Sequence, residues 1–367
     1  MAIEKLHIDQ FLELAKDHPV IDVRSPGEFQ HAHIPGATNL PLFNDEERKV
    51  VGTLYKQKSR EEAIKAGLDF FGPKMRGIIE FAESLLSKNT GDAYAGNLQK
   101  TILVHCWRGG MRSGAIAWLL DLYGFKVYTL TGGYKSFRNY VLSIFNQPIH
   151  IYVLGGYTGS GKTEILKELE KHGQSIIDLE SIAKHKGSAF GNINMPQQPS
   201  QEMFENLLAT NVMALKKDEG FIWVEDESQR IGQVNIPAGF WDQMRTSPVL
   251  FLDIPFEERL HHLVEEYGGL NKEKMKDAIT RIQKRLGPLE TKNALAFLQE
   301  NDMKGCFRIL LKYYDKYYIK ALHNRQNFET LIQTLNCDTV QPGNVKTLLN
   351  QLKIHENHKP AANSIHL

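Results

Sequence analysis

The sequence predicts an α/β protein: two parallel-sheet domains in succession, the second continued by a helical C-terminal region. Three observations predict it. Short apolar runs alternate with longer stretches of helical apolar spacing, the pattern of strands joined by crossover helices. Two of those runs, Thr101-Ile102-Leu103-Val104 and Ile149-His150-Ile151-Tyr152-Val153-Leu154, end in glycine-bearing loops that lead into helices. Between them lies a polar break, Asn146-Gln147-Pro148. The chain has 367 residues, 42% hydrophobic and 24% charged, enough for two cores.

The same totals exclude several classes. A net charge of +1 gives no global field for nucleic acid, so such a partner must be held by local patches. No apolar stretch reaches membrane-spanning length, and the N-terminus carries no signal-peptide pattern. Cys106, Cys306 and Cys337 are too widely spaced for a disulfide framework or a zinc site. A reducing cytoplasm is the expected location.

In order along the chain, residues 4–17 read as a helix with Leu6, Phe11, Leu12 and Leu14 on one face. Residues 19–24 read as a short buried strand. Ser25-Pro26-Gly27-Glu28 carries a helix-start signature: an early proline, and a glutamate three residues after the serine. Pro35-Gly36 turns the chain into the strand-like residues 38–42. Residues 44–88 are helical in pattern and richly charged, and residues 90–96 form a polar loop. Lys126-Val127-Tyr128-Thr129-Leu130 is a further strand, closed by Thr131-Gly132-Gly133. Asp22 and Arg24 read as an internal ion pair. His31 and His33 read as turn residues, because no partner stands at metal-ligand spacing.

Cys106-Trp107-Arg108-Gly109-Gly110-Met111-Arg112-Ser113 is the first chemical motif. A lone cysteine ends a strand, and the loop after it leads to a helix N-terminus. Loop amides, the helix start, Arg108 and Arg112 all favour thiolate over thiol. The pKa of Cys106 is therefore expected below the free-thiol value, with Cys106 as nucleophile. Trp107, Arg108, Gly109, Gly110, Met111 and Arg112 form its loop.

The second motif is Gly156-Tyr157-Thr158-Gly159-Ser160-Gly161-Lys162-Thr163, set between a strand and a helix as a phosphate-binding loop requires. Amides of Gly156, Thr158, Gly159, Ser160 and Gly161 are expected to wrap phosphate oxygens, with Lys162 bridging them. Thr163 is placed to reach a Mg²⁺ ion. Downstream, the strand-like Ser175-Ile176-Ile177-Asp178-Leu179-Glu180 and Phe221-Ile222-Trp223-Val224-Glu225-Asp226-Glu227 end in carboxylates. Asp178, Glu180, Glu225 and Asp226 are candidates for Mg²⁺ or substrate, with no metal site certain. Arg230 is expected to reach an anion. Residues 184–201 read as a long loop beside the phosphate site, the usual form of a lid. From residue 256 the pattern is helical. There Lys304, Arg308, Lys312, Lys316 and Lys320 recur every fourth residue, interleaved with Tyr313, Tyr314, Tyr317 and Tyr318. This row fits either a solvated face with inward tyrosines or a nucleic-acid contact.

The first domain resembles a rhodanese. Asp22-Val23-Arg24, His33-Ile34-Pro35-Gly36-Ala37, the Cys106 loop and Leu130-Thr131-Gly132-Gly133 fall in the expected order. In rhodaneses the cysteine carries a persulfide cradled by the loop. Here five residues separate Cys106 from Arg112, where most sulfur-transferring rhodaneses have four. The wider cup also permits a phosphatase. The pairing with a P-loop NTPase-like domain resembles the tRNA 2-selenouridine synthase family across nearly the whole chain. Further shared stretches are Gly52-Thr53-Leu54-Tyr55-Lys56-Gln57 and His185-Lys186-Gly187-Ser188-Ala189-Phe190-Gly191. Ser181 and Lys186 stand where family members commonly have Gly and Arg.

The resemblance implies a transferase that replaces sulfur by selenium in wobble 2-thiouridine of tRNA. It implies selenophosphate as donor, supplied by another enzyme, and an S-geranyl intermediate made from geranyl diphosphate. No tightly bound cofactor is implied. It also favours tRNA contact for the Lys304–Lys320 row. The expected division is residues 1–145, 146–255, 256–354 and a flexible tail at 355–367. The alternative is a sulfurtransferase fused to an NTP-dependent kinase.

Overall fold

The computed structural model describes residues 3–90, 100–215 and 220–356. Most of the polar loop expected at 90–96, and the tail from residue 357, lie outside the described residues. By its contacts the chain forms two units. Met1–Ile144 joins Glu202–Thr210 in the first, and Phe145–Gln201 joins Asn211–Leu367 in the second. A division at residues 145 and 255 does not anticipate the return of Glu202–Thr210 to the first unit.

The first unit runs β1 (Glu4–Leu6), α1 (Ile8–Leu14), β2 (Val20–Asp22), α2 (Pro26–His31) and β3 (Thr38–Asn39). Then come α3 (Asp45–Gln57), α4 (Arg60–Phe71), α5 (Met75–Thr90), β4 (Thr101–His105), α6 (Met111–Leu122), β5 (Lys126–Leu130) and α7 (Gly133–Ile144). The sheet order is β1-β5-β4-β2-β3, with every pair parallel. Its central strand, β4, is buried along its length and delivers Cys106 to its carboxyl end, where open α/β sheets bind ligands. The helix expected over residues 4–17 starts late. Glu4, Lys5 and Leu6 instead pair with Tyr128, Thr129 and Leu130 at the sheet edge.

Arg24 is buried on the Asp22 carboxylate, with Nη2 2.6 Å from Oδ2. The same nitrogen donates to Ala32 O at 2.7 Å, and the guanidinium lies 3.8 Å from the Tyr134 ring centroid. This is the structural pair expected. Breaking it would strand a buried charge, at a cost of about 3–5 kcal/mol. His33 stacks on Phe29 at 3.9 Å and bonds Phe29 O through Nδ1, so it closes the turn.

The second unit contains β6 (Ile151–Gly156), α8 (Lys162–Lys171), β7 (Ser175–Ile177), α9 (Leu179–Ala183) and the end of α10 (Gln201–Leu215). β8 (Ile222–Glu225), the hairpin β9 (Arg230–Ile231) and β10 (Val234–Asn235), α11 (Ala238–Thr246) and β11 (Val249–Asp253) follow. The chain ends in α12 (Phe256–Tyr267), α13 (Lys272–Leu286), α14 (Pro288–Gln299), α15 (Met303–His323), α16 (Phe328–Leu331), β12 (Ile332–Asn336) and α17 (Asn344–Glu356). The sheet order is β12-β11-β6-β8-β7, all parallel. The phosphate-loop strand β6 is thus central, directly beside acid-ended β8. The purely helical reading beyond residue 256 is corrected by β12, which pairs with β11 over all five residues.

Candidate active site: a thiolate cup and a phosphate-loop cavity

The Cys106 loop is closed by a tight backbone approach. A Cβ at Gly133, where φ is +60°, would stand 2.3 Å from Cys106 O and 2.5 Å from Gly109 N. Only glycine permits that closure. The sulfur lies 3.3 Å from Ser113 Oγ and accepts from Gly110 N at 3.4 Å, at the start of α6. Burial pushes the thiol pKa up. Hydrogen bonds from the Ser113 side chain and from the Ser113, Gly110 and Arg108 amides outweigh it, so the pKa lies below the ordinary value. The loop therefore prepares an anion, as expected.

The two arginines differ. Arg112 does not aim an open guanidinium at the cup: its Nη1 donates to Glu28 Oε2 at 2.6 Å. Burial pushes Glu28 up, but Arg112, the Ser25 N–H and Arg48 hold its carboxyl below the usual range. Arg108 is exposed, as are Trp107, Gly110 and Met111. Arg108 is the open cation of the loop.

In the second unit Lys162 donates to Gly156 O at 2.9 Å and to Tyr157 O at 3.4 Å. Its ammonium thus stays within the loop that would receive phosphate. Gly159 passes so close to α12 that a Cβ there would meet Arg259 O at 2.9 Å. Buried Arg259 forks onto Asp315 at 2.8 and 2.9 Å and also donates to Thr158 O at 3.1 Å, fixing the loop's first turn.

Thr163 Oγ1 lies 3.3 Å from Glu180 and 3.5 Å from Glu225. Glu180, Glu225 and Glu227 bring one carboxylate oxygen each within 4.8 Å of one another. Burial, then mutual repulsion, raises the pKa of Glu180 and Glu225 above the carboxylate range, and burial raises Glu227. Their donors are all oxygens, which fits a hard divalent cation such as Mg²⁺.

Glu227 is the member that the sequence reading left out. Asp226, expected in its place, is engaged elsewhere: it accepts from Arg325 at 2.5 Å and from Tyr318 at 2.7 Å. Asp178 is the N-cap of α9, accepting from Ser181 N at 2.8 Å. The expected strand therefore stops at Ile177, and Glu180 stands on the first turn of α9. Arg230 is exposed on the β9–β10 hairpin, its Nε donating to Gly232 O at 3.0 Å, and does not line the phosphate cavity.

That cavity, about 360 Å³, has two characters. One end is the phosphate loop with Lys162 and the three glutamates. The other is walled by Phe190, Phe307, Leu310, Leu311 and Tyr314. Lys186, Gly187, Ser188 and Phe190 of the expected lid line it. Lys186 is tied to Glu266 at 2.5 Å, and Ala189 N donates to the Tyr314 hydroxyl at 3.1 Å.

Helix α15 turns Phe307, Leu310, Leu311, Tyr314 and Tyr318 toward this cavity. Tyr318 OH accepts from Gly156 N at 3.1 Å, so it is not a stacking platform for a base. Lys304, Lys312, Lys316 and Lys320 stand exposed. Arg308 is instead engaged with Glu257 through both nitrogens.

An activated cysteine at the carboxyl end of a central parallel strand, followed on the same chain by a P-loop sheet, defines a rhodanese-type transferase joined to a P-loop domain. The comparisons make the family specific. Residues 7–140 match the rhodanese-like domain, and residues 149–340 match the tRNA 2-selenouridine synthase AAA domain. A tRNA 2-selenouridine synthase of Bdellovibrio bacteriovorus is 33% identical over 89% of this chain and 94% of its own. One from Hydrogenovibrio crunogenus is 36% identical over 85% and 91%. The solved N-terminal domain of a protein from Clostridium difficile 630 is 38% identical, covering 38% of this chain and 99% of its own, with a TM-score of 0.34. The chain belongs to the tRNA 2-selenouridine synthase family, and it is a selenium-transferring, tRNA-modifying enzyme.

Proposed function

We propose that the two sites divide the reaction. The phosphate-loop cavity holds geranyl diphosphate and alkylates the sulfur of wobble 2-thiouridine in tRNA. The Cys106 cup receives selenophosphate and replaces the S-geranyl group by selenium. The observation that carries this reading is the dual character of the cavity. A phosphate-binding end continues into a wall of Phe190, Phe307, Leu310 and Leu311. These side chains suit a hydrocarbon tail and offer no hydrogen bonds to a nucleobase edge.

In the first step the thiocarbonyl sulfur attacks C1 of the geranyl group, the C–O bond breaks, and diphosphate leaves as the N3 proton departs from the base. Lys162 and the loop amides stabilise the charge that develops on the leaving diphosphate. Glu180, Glu225, Glu227 and Thr163 would hold a divalent cation there, which when bound offsets that charge. Alkylation turns a poor leaving group into one that departs as a thiol. In the second step Cys106 is the essential nucleophile: its thiolate attacks the phosphorus of the donor and breaks the P–Se bond. The released selenide adds at C2 of the base and expels geranyl thiol. Water then frees phosphate from the Cys106 sulfur, while Arg108 and the loop amides hold the phosphoryl oxygens. Lys304, Lys312, Lys316 and Lys320 track tRNA phosphates, and the reaction is cytoplasmic.

Purified protein incubated with thiolated tRNA and geranyl diphosphate, followed by mass analysis of nucleosides, tests the reading. S-geranyl-2-thiouridine is expected, and 2-selenouridine once selenophosphate is added. Tight ATP binding and hydrolysis with no use of geranyl diphosphate would overturn it in favour of the fused sulfurtransferase–kinase.

A further inference from the structure

Helix α15 runs the length of the cavity wall. At the phosphate end Tyr318 is fixed to Gly156 N at 3.1 Å. One turn back, Tyr314 is fixed to Ala189 N at 3.1 Å. Then come Leu311 and Leu310, and finally Phe307, all lining the same cavity. Phe307 stands eleven positions before Tyr318, about 16 Å of helix. Along α15 itself the lining side chains pass from tyrosine hydroxyls held by backbone amides to the hydrocarbon of Leu311, Leu310 and Phe307.

The far end is closed by rings. Phe307 meets Phe190 edge to face, with centroids 6.1 Å apart, and meets Tyr267 at 6.1 Å. Phe190 and Phe307 are almost wholly buried, at 4% and 3% exposure. Phe190 of the lid and Tyr267 of α12 thus meet on the cavity-lining residue of α15 that stands farthest along the helix from Tyr318.

We infer that Phe307, braced by Phe190 and Tyr267, is the stop that sets the length of the isoprenoid tail, with α15 as the ruler. This rests on the prenyl-diphosphate reading above and specifies it. The cavity reaches only as far as Phe307 allows. A tail one isoprene unit longer must displace that ring from a close-packed cluster. Overpacking of that kind is expected to give the shorter donor a preference of roughly tenfold, equivalent to about 1.4 kcal/mol. Removing the ring opens room in line with the tail.

The test is competition between geranyl and farnesyl diphosphates for thiolated tRNA, with both S-prenyl products quantified by mass in one sample. Such a ratio is independent of how much enzyme is folded. Wild type is expected to give chiefly the geranyl product. Phe307→Ala should move the ratio toward farnesyl at least tenfold, Phe307→Leu and Phe190→Leu less, in the same direction. Tyr318→Phe, at the phosphate end, should lower both products and leave their ratio alone. Geranyl transfer with a ratio unmoved in both Phe307 variants would overturn the ruler while leaving the prenyl reading intact. A wild type that transfers neither group would overturn the prenyl reading itself, and the ruler with it.

Discussion

The Cys106 loop and the phosphate loop are the same local device used for opposite ends. Each sits where a central parallel strand passes through glycines into a helix N-terminus. At Cys106 the converging donors act on a sulfur that belongs to the chain, and they lower its pKa. At Lys162 the donors face a cavity, and the titratable neighbours Glu180, Glu225 and Glu227 are pushed upward. One site makes its own anion. The other raises the proton affinity of its acids. Donor geometry alone therefore does not define a site's charge; what stands opposite the donors decides it.

The largest effects separate the two halves. Cys106→Ala should reduce selenation to background yet leave geranylation of thiolated tRNA intact, both read by nucleoside mass analysis. Lys162→Ala should cut geranylation by about a hundredfold or more, while tRNA already carrying the S-geranyl group is still selenated. Loss of geranylation in the Cys106 variant would erase the contrast.

A smaller effect reads the opposite pKa shifts directly. Folded Glu180, Glu225 and Glu227 hold protons that the unfolded chain releases above the ordinary carboxylate range. Their contribution to stability is therefore greatest at low pH and declines as pH rises above the ordinary carboxylate value, through about 8 for Glu225 and about 10 for Glu180. Cys106 has the reverse sign: its lowered pKa adds stability above the ordinary thiol range, which is lost as pH falls through the folded value. The melting midpoint should fall several degrees over the carboxylate window, and Glu227→Gln should flatten that slope. Iodoacetamide should label Cys106 with a midpoint below 9.0, while Cys306, pushed by burial to about 12, stays unreacted.

The smallest effect concerns tRNA. Lys312→Glu with Lys316→Glu should weaken binding and lower the salt dependence by about one unit per lost phosphate contact. An unchanged salt slope would remove α15 from the tRNA interface.

Both glycine loops were legible in the sequence because each is contiguous, and its chemistry follows from neighbours within eight residues. What depended on distant partners was not. Arg112 reads as an open clamp until Glu28, 84 residues away in sequence, is seen to hold it. Glu225, Asp226 and Glu227 look equivalent in a string. Alternation along an extended segment sends 225 and 227 to one side and 226 to the other, and that signal would have replaced Asp226 by Glu227. Strand β12 was hidden because Ile332-Gln333-Thr334-Leu335-Asn336 is too short to show a period against long helices, and only pairing with β11 makes it a strand. The tyrosines of α15 illustrate the same limit. Their spacing shows a face, but only the bonds to Gly156 and Ala189 show that the face is a cavity wall.

The pairing of Arg112 with Glu28 has a consequence in a crowded cell. Inorganic phosphate and sulfate surround any such enzyme in far greater amount than a labile selenium compound. A cup with two open guanidiniums would be blocked by whichever oxyanion came first. With one arginine already neutralised by its own carboxylate, a visiting ion meets one guanidinium fewer, and the hold on commonplace oxyanions is loosened accordingly.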